Sequence, residues 1–236
     1  MKIESVWEHN GNDSILYSCN IIGAFTRGTT KEEAISKMPL EIASYTKWMD
    51  GSVLLPLISD IEVIQEKTSG LNIRDADSDV LFDTEKIALP ANEYARLKAL
   101  TLKSARDFLT LYEAFPDKNQ SVLTARKTFY GDVPRTAEEM YQHTKNVNAY
   151  YFGEIGTDTD NGGSILDCRQ RGFEALEKQP DFLDLGVFDG SYGELWSLKK
   201  VLRRFIWHDR IHAKAMYRMG IKTFGKSIIP DVFCFD

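Results

Sequence analysis

Alternating polar and apolar residues in the first 68 positions predict short strands and one helix. The stretches KIESVWEH (2–9) and SILYSCNI (14–21) carry β-branched and aromatic residues on either side of the turn-prone NGND, which is typical of a β-hairpin. Thr30 and Glu33 have capping-box spacing and predict a helix of about four turns. Its inward face repeats at helical spacing: Ala34, Ile35, Met38, Ile42 and Tyr45. DIEVIQEK (60–67) predicts one more strand.

The pattern changes twice after this strand. Residues 69–83 are polar, turn-rich and acidic, which predicts a linker or a surface segment between two units. From residue 84 onward the apolar residues recur every three or four positions, and strand signals are weak. We therefore expect an α+β chain with a small strand-and-helix unit at 1–68, a linker at 69–83 and a helical bundle at 84–236.

Four helices account for the bundle. The first carries one long stripe: Tyr94, Leu97, Thr101, Ser104, Phe108, Leu111 and Phe115. The second begins near Pro134, a residue that suits a first helical turn. The third extends from about residue 164 toward residue 179, and the fourth from about residue 194 to residue 219. Gly220 is placed to end the fourth helix.

Composition and charge exclude several classes of protein. The 236 residues, 43% of them hydrophobic, are enough to bury a core, and the net charge of -6 comes without a basic run that would bind nucleic acid. The apolar runs are far shorter than the roughly 20 residues that cross a bilayer, and the first 13 residues are too polar for a signal peptide. We expect a cytoplasmic protein with no membrane partner. Cys19, Cys168 and Cys234 are widely spaced and predict free thiols.

Three of the four histidines fall on the apolar stripes of two predicted helices. On the fourth helix the stripe is Leu198, Leu202, Phe205, His208, His212, then Ala215 or Met216, and Met219. On the second helix it is Met140, His143, Val147, Tyr150 and Glu154. Imidazoles at positions i and i+4 of one helix can chelate one metal ion, and a third from a facing helix leaves coordination positions for water or substrate. His143, His208 and His212 are therefore the predicted metal ligands; the alternative is a buried cluster of hydrogen-bonded histidines.

The residues around the histidines leave several roles open. HDRIH (208–212) differs from the protease motif HExxH, because Asp209 replaces the general base and no His or Glu follows His212. Asp209 is expected to be an exposed helical residue or a carboxylate that orients an imidazole. Arg204 either faces the metal cavity as an anion clamp or lies on a solvated face. Tyr150 and Glu154 either line the cavity or serve packing and the helix end.

The C-terminal half resembles a known family. His143 together with WSLKKVLRRFIWHDRIHAKAMYR (196–218) is similar to the pattern of the DinB family of four-helix metalloproteins, which is related to the YfiT-like metal-dependent hydrolases. This resemblance implies that His143, His208 and His212 form the metal triad. It also implies thiol chemistry as one option, because the family includes mycothiol- and bacillithiol-linked transferases and an isomerase.

The N-terminal half resembles a second family. GAFTRGTTKEEAISKMPLEI (23–42) follows the predicted hairpin and is similar to the turn and helix start of the HicB-type antitoxin module. The resemblance covers about residues 1–68. A helical bundle follows here instead of the small DNA-binding segment usual in such antitoxins, so the module is expected to serve dimerisation, closure of a substrate site or partner binding.

The expected function is that of a metal-dependent enzyme. One zinc or nickel ion is the predicted cofactor, because imidazole ligands suit either metal. A small-molecule substrate and hydrolysis or transfer of a low-molecular-weight thiol are expected, with homodimers favoured by the apolar faces of such bundles. The alternative is a non-catalytic protein in which the metal ties two helices together and the HicB-like module binds a partner.

Overall fold

The computed structural model describes residues 1–128 and 131–236, and shows a small N-terminal sheet followed mainly by helices. The mixed α+β class predicted from the sequence is confirmed. The elements in chain order are β1 (Ile3–His9), β2 (Ser14–Ser18), β3 (Phe25–Gly28), α1 (Lys31–Asp50), β4 (Ile61–Thr68), α2 (Ala91–Glu113), β5 (Lys127–Thr128), β6 (Gly131–Asp132), α3 (Ala137–Gly153), α4 (Ile165–Leu176), β7 (Phe188–Asp189), β8 (Leu195–Trp196) and α5 (Leu198–Phe224).

The sheet has the strand order β3-β2-β1-β4. β1 and β2 form the predicted antiparallel hairpin, with Ser5 opposite Ser18, and β4 pairs with β1 in parallel. β3 was not predicted. It has only four residues, too few for a clear alternation of polar and apolar positions, and it pairs antiparallel with β2. The turn-and-helix stretch at 23–42 thus contributes a strand before its helix.

α1 covers one face of this sheet. The Thr30 hydroxyl accepts a hydrogen bond from the Glu33 backbone amide, as the capping-box spacing predicts. The helix is longer than the four turns expected, with 20 residues, and ends at Gly51, whose φ of 80° is left-handed. Of the predicted inward residues, Ala34, Met38, Ile42 and Tyr45 are fully buried and join a hydrophobic core that includes Leu16 of β2, whereas Ile35 is only partly buried against that core.

Residues 69–83 cover the opposite face, so the prediction of a surface segment is wrong for their apolar side chains. Ile73, Val80 and Phe82 are buried together with Tyr17 of β2 and Trp207 of α5. The sequence did not predict this burial, because the apolar residues are interspersed with acidic ones and follow neither strand nor helix periodicity. The main core is continuous from α1 to α5 and joins the two predicted units.

α5 is the central helix of the bundle. It packs against α2 and α3, while α4 packs against the same two helices. Ser197 caps its N-terminus, so the predicted start near residue 194 is corrected: that stretch contains β8. Gly220 does not end the helix; it lies inside it, where a Cβ would come 2.5 Å from Phe115 Cζ. The chain leaves the helix at Gly225, with φ 95°.

The ends of α3 and α4 follow their capping residues. Thr136 caps α3 through a capping box with Glu139, so Pro134 precedes the helix instead of occupying its first turn. Ser164 caps α4 with Asp167 in the same way, as the predicted start at residue 164 implies. Within the described ranges, no helix is both long and apolar enough to cross a membrane.

Candidate metal centre

The three histidines predicted as metal ligands meet between α3 and α5. One ring nitrogen from each imidazole lies within 4.8 Å of the ring nitrogens of the other two. The ring centroids are 4.4 Å apart for His208 and His212, 4.6 Å for His143 and His212, and 5.2 Å for His143 and His208. The group could hold one metal ion. Because Zn–N distances of about 2.0–2.1 Å keep ligand nitrogens at most about 4.2 Å apart, binding would draw the imidazoles slightly closer together.

The histidines differ in burial, which corrects the expectation that all three point into the core. His208 is buried, with 7% of its surface exposed, His212 is partly buried, and His143 is exposed at the cavity. The buried face of α3 carries Tyr141, Thr144, Asn148 and Tyr151. His143 therefore lies at the edge of that face, because the true buried stripe is shifted by one position from the predicted one.

The surroundings keep the imidazoles neutral. Burial lowers the pKa of His208 and His212 well below its usual range, and the neighbouring imidazoles lower both values further. Burial also lowers the pKa of His143. In the described part of the chain, His208 Nδ1 is buried without a hydrogen-bond partner. Neutral imidazoles with an unsatisfied buried nitrogen fit a divalent cation, which binds the deprotonated ring.

The triad lines a cavity of about 350 Å³. Besides the histidines, its walls are largely apolar or aromatic on the α3 and α5 side, where they consist of Val147, Tyr150, Tyr151, Trp207 and Ile211. The other side consists of two loops, with Asp75, Ala76 and Asp77 from one and Arg126, Thr128, Asp132, Val133 and Pro134 from the other. A pocket of this size and character suits a small organic molecule.

Of the four further candidates, two line this cavity and two do not. Tyr150 and Arg204 are in its wall. Glu154 lies outside: its carboxylate accepts a hydrogen bond from the Ser191 backbone amide at 2.7 Å and so holds the loop after β7. Asp209 is also outside the cavity and is fully buried, which corrects its prediction as an exposed residue.

Asp209 forms a buried ion pair with α4. Its two carboxylate oxygens each accept a hydrogen bond from the Arg169 guanidinium at 3.3 Å, and neither side chain is exposed. The guanidinium lies 3.7 Å from the Phe205 ring centroid. The sequence pattern allowed α5 only one buried stripe, whereas its middle is enclosed on all sides, from Phe205 to Arg210.

Sequence reasoning missed the cavity wall contributed by the two loops. An ion pair of 3.0 Å joins Arg126 Nη1 to Asp75 Oδ1 and thereby links one loop to the other. Between the acids, Ala76 has a left-handed backbone with φ 68°, which is uncommon for a residue with a Cβ. Burial raises the pKa of Asp77. The only signal in the sequence was the acidic triplet DAD, which has no periodicity.

No protein-family model, no curated protein and no solved structure matches this chain. The function proposed below rests on the residues and the geometry of the chain itself.

Proposed function

We propose that this protein is a metal-dependent enzyme that holds one zinc or nickel ion through His143, His208 and His212. It acts on a small molecule in the adjacent cavity, by hydrolysis or by transfer of a low-molecular-weight thiol. The observation that carries the proposal is the convergence of three imidazole nitrogens within 4.8 Å on the wall of a cavity. A three-residue ligand set leaves a coordination position for a reactant, as in catalytic zinc sites.

A divalent ion bound there supplies Lewis acidity for the attack of water or of a thiol on the substrate. The protein's own residues hold the ligands in place. His208 and His212 sit on a helix whose neighbouring residues Asp209 and Arg210 are fixed by buried ion pairs with Arg169 and Glu41. The side chains of Tyr150 and Trp207 line the cavity and provide apolar contact for the substrate.

We also propose that residues 84–236 belong with the DinB-like metalloproteins and residues 1–68 with HicB-like modules. The support for the first is the joint occurrence of the 196–218 pattern and His143, whose side chains meet in space. The support for the second is the 23–42 stretch together with its strand, turn and capped helix. Neither resemblance identifies the substrate.

Metal content per chain, measured by elemental mass spectrometry, tests the proposal directly. We expect close to one zinc or nickel ion in the wild-type protein after loading, and a large loss in His143→Ala, His208→Ala and His212→Ala. The matched control is His9→Ala, because His9 lies on β1 and stacks on Trp7 at 3.9 Å. A wild-type protein that stays metal-free after incubation with zinc, nickel and manganese contradicts the proposal.

Catalysis is tested on the loaded protein with ester, amide and thiol-transfer substrates. The expected result is a turnover that disappears on chelation, returns on addition of metal and is absent from His212→Ala. The His9→Ala variant should retain the wild-type rate. Turnover that survives chelation would separate the activity from the histidine cluster.

A second candidate function is self-association through the N-terminal unit without catalysis. The observation that favours it is a set of exposed apolar side chains on β4, an edge strand of the sheet, and in the segment that precedes it: Val53, Leu55, Leu57, Ile58 and Ile64. Exposed apolar side chains next to a free strand edge are typical of an interface. Light scattering should show a dimer that Leu57→Asp converts to a monomer; a wild-type monomer excludes this candidate.

A further inference from the structure

Three buried cations on α5 are paired with carboxylates, whereas the partly buried Arg204 at the cavity is not. Arg203 pairs with Glu85 at 2.5 Å, Arg210 with Glu41 at 2.9 Å, and Lys200 with Glu194 at 2.8 Å. These pairs satisfy the rule that a buried charge needs a counter-charge. Arg204, on the same helix, has no carboxylate within ion-pair distance anywhere in residues 1–128 and 131–236.

The groups in direct contact with the Arg204 guanidinium are uncharged. Its Nη1 donates a hydrogen bond to the Ser78 carbonyl oxygen at 2.9 Å. The guanidinium carbon lies 4.8 Å from the Trp207 ring centroid and 5.5 Å from that of Tyr151. Its Nε is buried and has no hydrogen-bond partner among the described residues. The guanidinium is therefore oriented by a carbonyl oxygen, by the Tyr151 hydroxyl and by three aromatic rings, the third being Trp196 at 5.7 Å, and no carboxylate of the described residues pairs with it.

The Arg204 side chain lines the same cavity as the histidines. Arg204 and His208 are separated by four residues, one helical turn, and both side chains line the same cavity. A ligand in the cavity can therefore contact the guanidinium and the metal-binding nitrogens at once. Apolar or aromatic groups, among them Tyr150 and Ile211, also line this cavity.

We propose that Arg204 binds a carboxylate of the substrate, and that the substrate is a small carboxylic acid with an apolar or aromatic body. This inference rests on the proposed function and specifies its substrate class. A carboxylate suits a single guanidinium, which it can contact through two hydrogen bonds. A doubly charged phosphate is less suitable: the second arginine of the cavity, Arg126, is paired with Asp75, and the carboxylates of Asp77 and Asp132 in the lining would repel the second charge.

Calorimetric titration with benzoate tests the proposal, with benzamide as the uncharged probe of the same shape. We expect the zinc-loaded wild-type protein to bind benzoate and to bind benzamide much more weakly. Arg204→Gln should weaken benzoate binding about ten-fold to a hundred-fold, the value of a hydrogen bond to a charged group. Its affinity for benzamide and its zinc content should not change.

The matched control is Arg218→Gln, an exposed arginine farther along α5, which should bind benzoate like the wild type. Circular dichroism melting checks that Arg204→Gln is folded. Arg204→Lys is the second variant: it keeps the charge but loses the planar pair of donors, and should show an intermediate loss. The proposal is overturned if Arg204→Gln binds benzoate as the wild type does, if benzamide equals benzoate, or if the wild type binds no benzoate.

Titration of chelator-treated protein separates this inference from the proposed function. If the chain binds no metal but benzoate still binds in an Arg204-dependent way, the metal-enzyme proposal fails and the carboxylate site stands. If the chain binds one metal ion and benzoate affinity is independent of Arg204, the carboxylate site fails and the metal-enzyme proposal stands. Phenyl phosphate is titrated in parallel, and tighter binding than benzoate overturns the choice of carboxylate.

Discussion

At the scale of single residues, the main feature is the number of charges buried around α5. The Asp209–Arg169 pair is fully enclosed and stacks on Phe205. Such a pair contributes little net stability relative to an apolar replacement, because both ions lose their hydration. Removing one partner is different, since the remaining charge is then buried without compensation. Asp209 directly follows His208 in the sequence, so loss of the pair would also disturb the metal ligands.

We expect Asp209→Asn to lower the free energy of unfolding by about 3 kcal/mol. Urea denaturation at neutral pH measures this change. The control is Glu62→Gln, which removes an exposed pair with Lys2 and should change stability by less than about 1 kcal/mol. Equal effects of the two substitutions would mean that the burial of the Arg169 pair has no energetic consequence.

A second buried acid, Glu8, makes stability depend on pH. It is fully buried on β1, where the Ser78 hydroxyl donates to it at 2.5 Å, and burial raises its pKa from 4.5 to about 7. Between these two values the folded state binds more protons than the unfolded state, so stability falls as pH rises from about 4.5 to about 7 and stays lower above.

We expect Glu8→Gln to remove this loss. Comparing unfolding at pH 5 and pH 8 should show that the wild type loses about 2 kcal/mol more than the variant over this interval. Glu62→Gln serves as the control, because Glu62 lies on the exposed side of β4 and pairs with Lys2. A wild-type stability that rises through this pH range would contradict the assignment to Glu8.

At the scale of elements, the packing of α5 against Phe115, just after α2, depends on a glycine within the helix. Gly220 allows the Phe115 ring at the end of α2 to approach the helix backbone, since a Cβ would come 2.5 Å from the ring. Helix propensity alone favours alanine over glycine by about 1 kcal/mol. The close contact between α2 and α5 reverses this preference.

We therefore expect Gly220→Ala to destabilise the protein by about 1–3 kcal/mol, the usual effect of overpacking a core. Gly153→Ala is the matched control, because a Cβ at the end of α3 would meet no atom within 4 Å. That substitution should be neutral or stabilise by up to about 1 kcal/mol. Thermal or urea unfolding of both variants measures these changes in stability. Stabilisation by Gly220→Ala would contradict the prediction and show that the Phe115 ring can move away from the helix.

At the scale of the whole molecule, α5 joins the sheet to the bundle. Trp207 packs into the cluster below the sheet with Tyr17 and Phe82, while the adjacent His208 turns toward the cavity and α3. Arg203 and Arg204 reach residues 69–85 through Glu85 and Ser78. A metal ion bound by the histidines would therefore stabilise a helix that packs against both the sheet and the bundle.

We expect zinc to raise the midpoint of thermal unfolding of the whole chain in a single transition, because a ligand that binds only the folded state stabilises it. Scans with zinc and with chelator measure the shift. His212→Ala should lose it and His9→Ala should keep it. Two separate transitions, with only one shifted by zinc, would show that the halves unfold independently.

The sequence by itself determined the local features of this protein. The hairpin, the capped start of α1 and the existence of the long helices follow from periodicity and from cap residues such as Thr30 and Ser164, which act within a few positions. The i, i+4 spacing of His208 and His212 likewise follows from helix geometry. The third histidine, His143, was found because it also stood on an apolar stripe.

Only the tertiary structure decided what surrounds these features. Whether Asp209 meets solvent or Arg169, and whether Arg204 faces water or the cavity, depends on elements far away in the sequence that enclose α5. The contribution of residues 75–77 to the cavity wall likewise could not be predicted, because an irregular segment has no regular spacing of apolar residues that would indicate burial. The spacing of polar and apolar residues indicates only which face of an element is buried on average. A charged side chain can be buried when an opposite charge lies next to it, and the packing of distant elements determines whether it does.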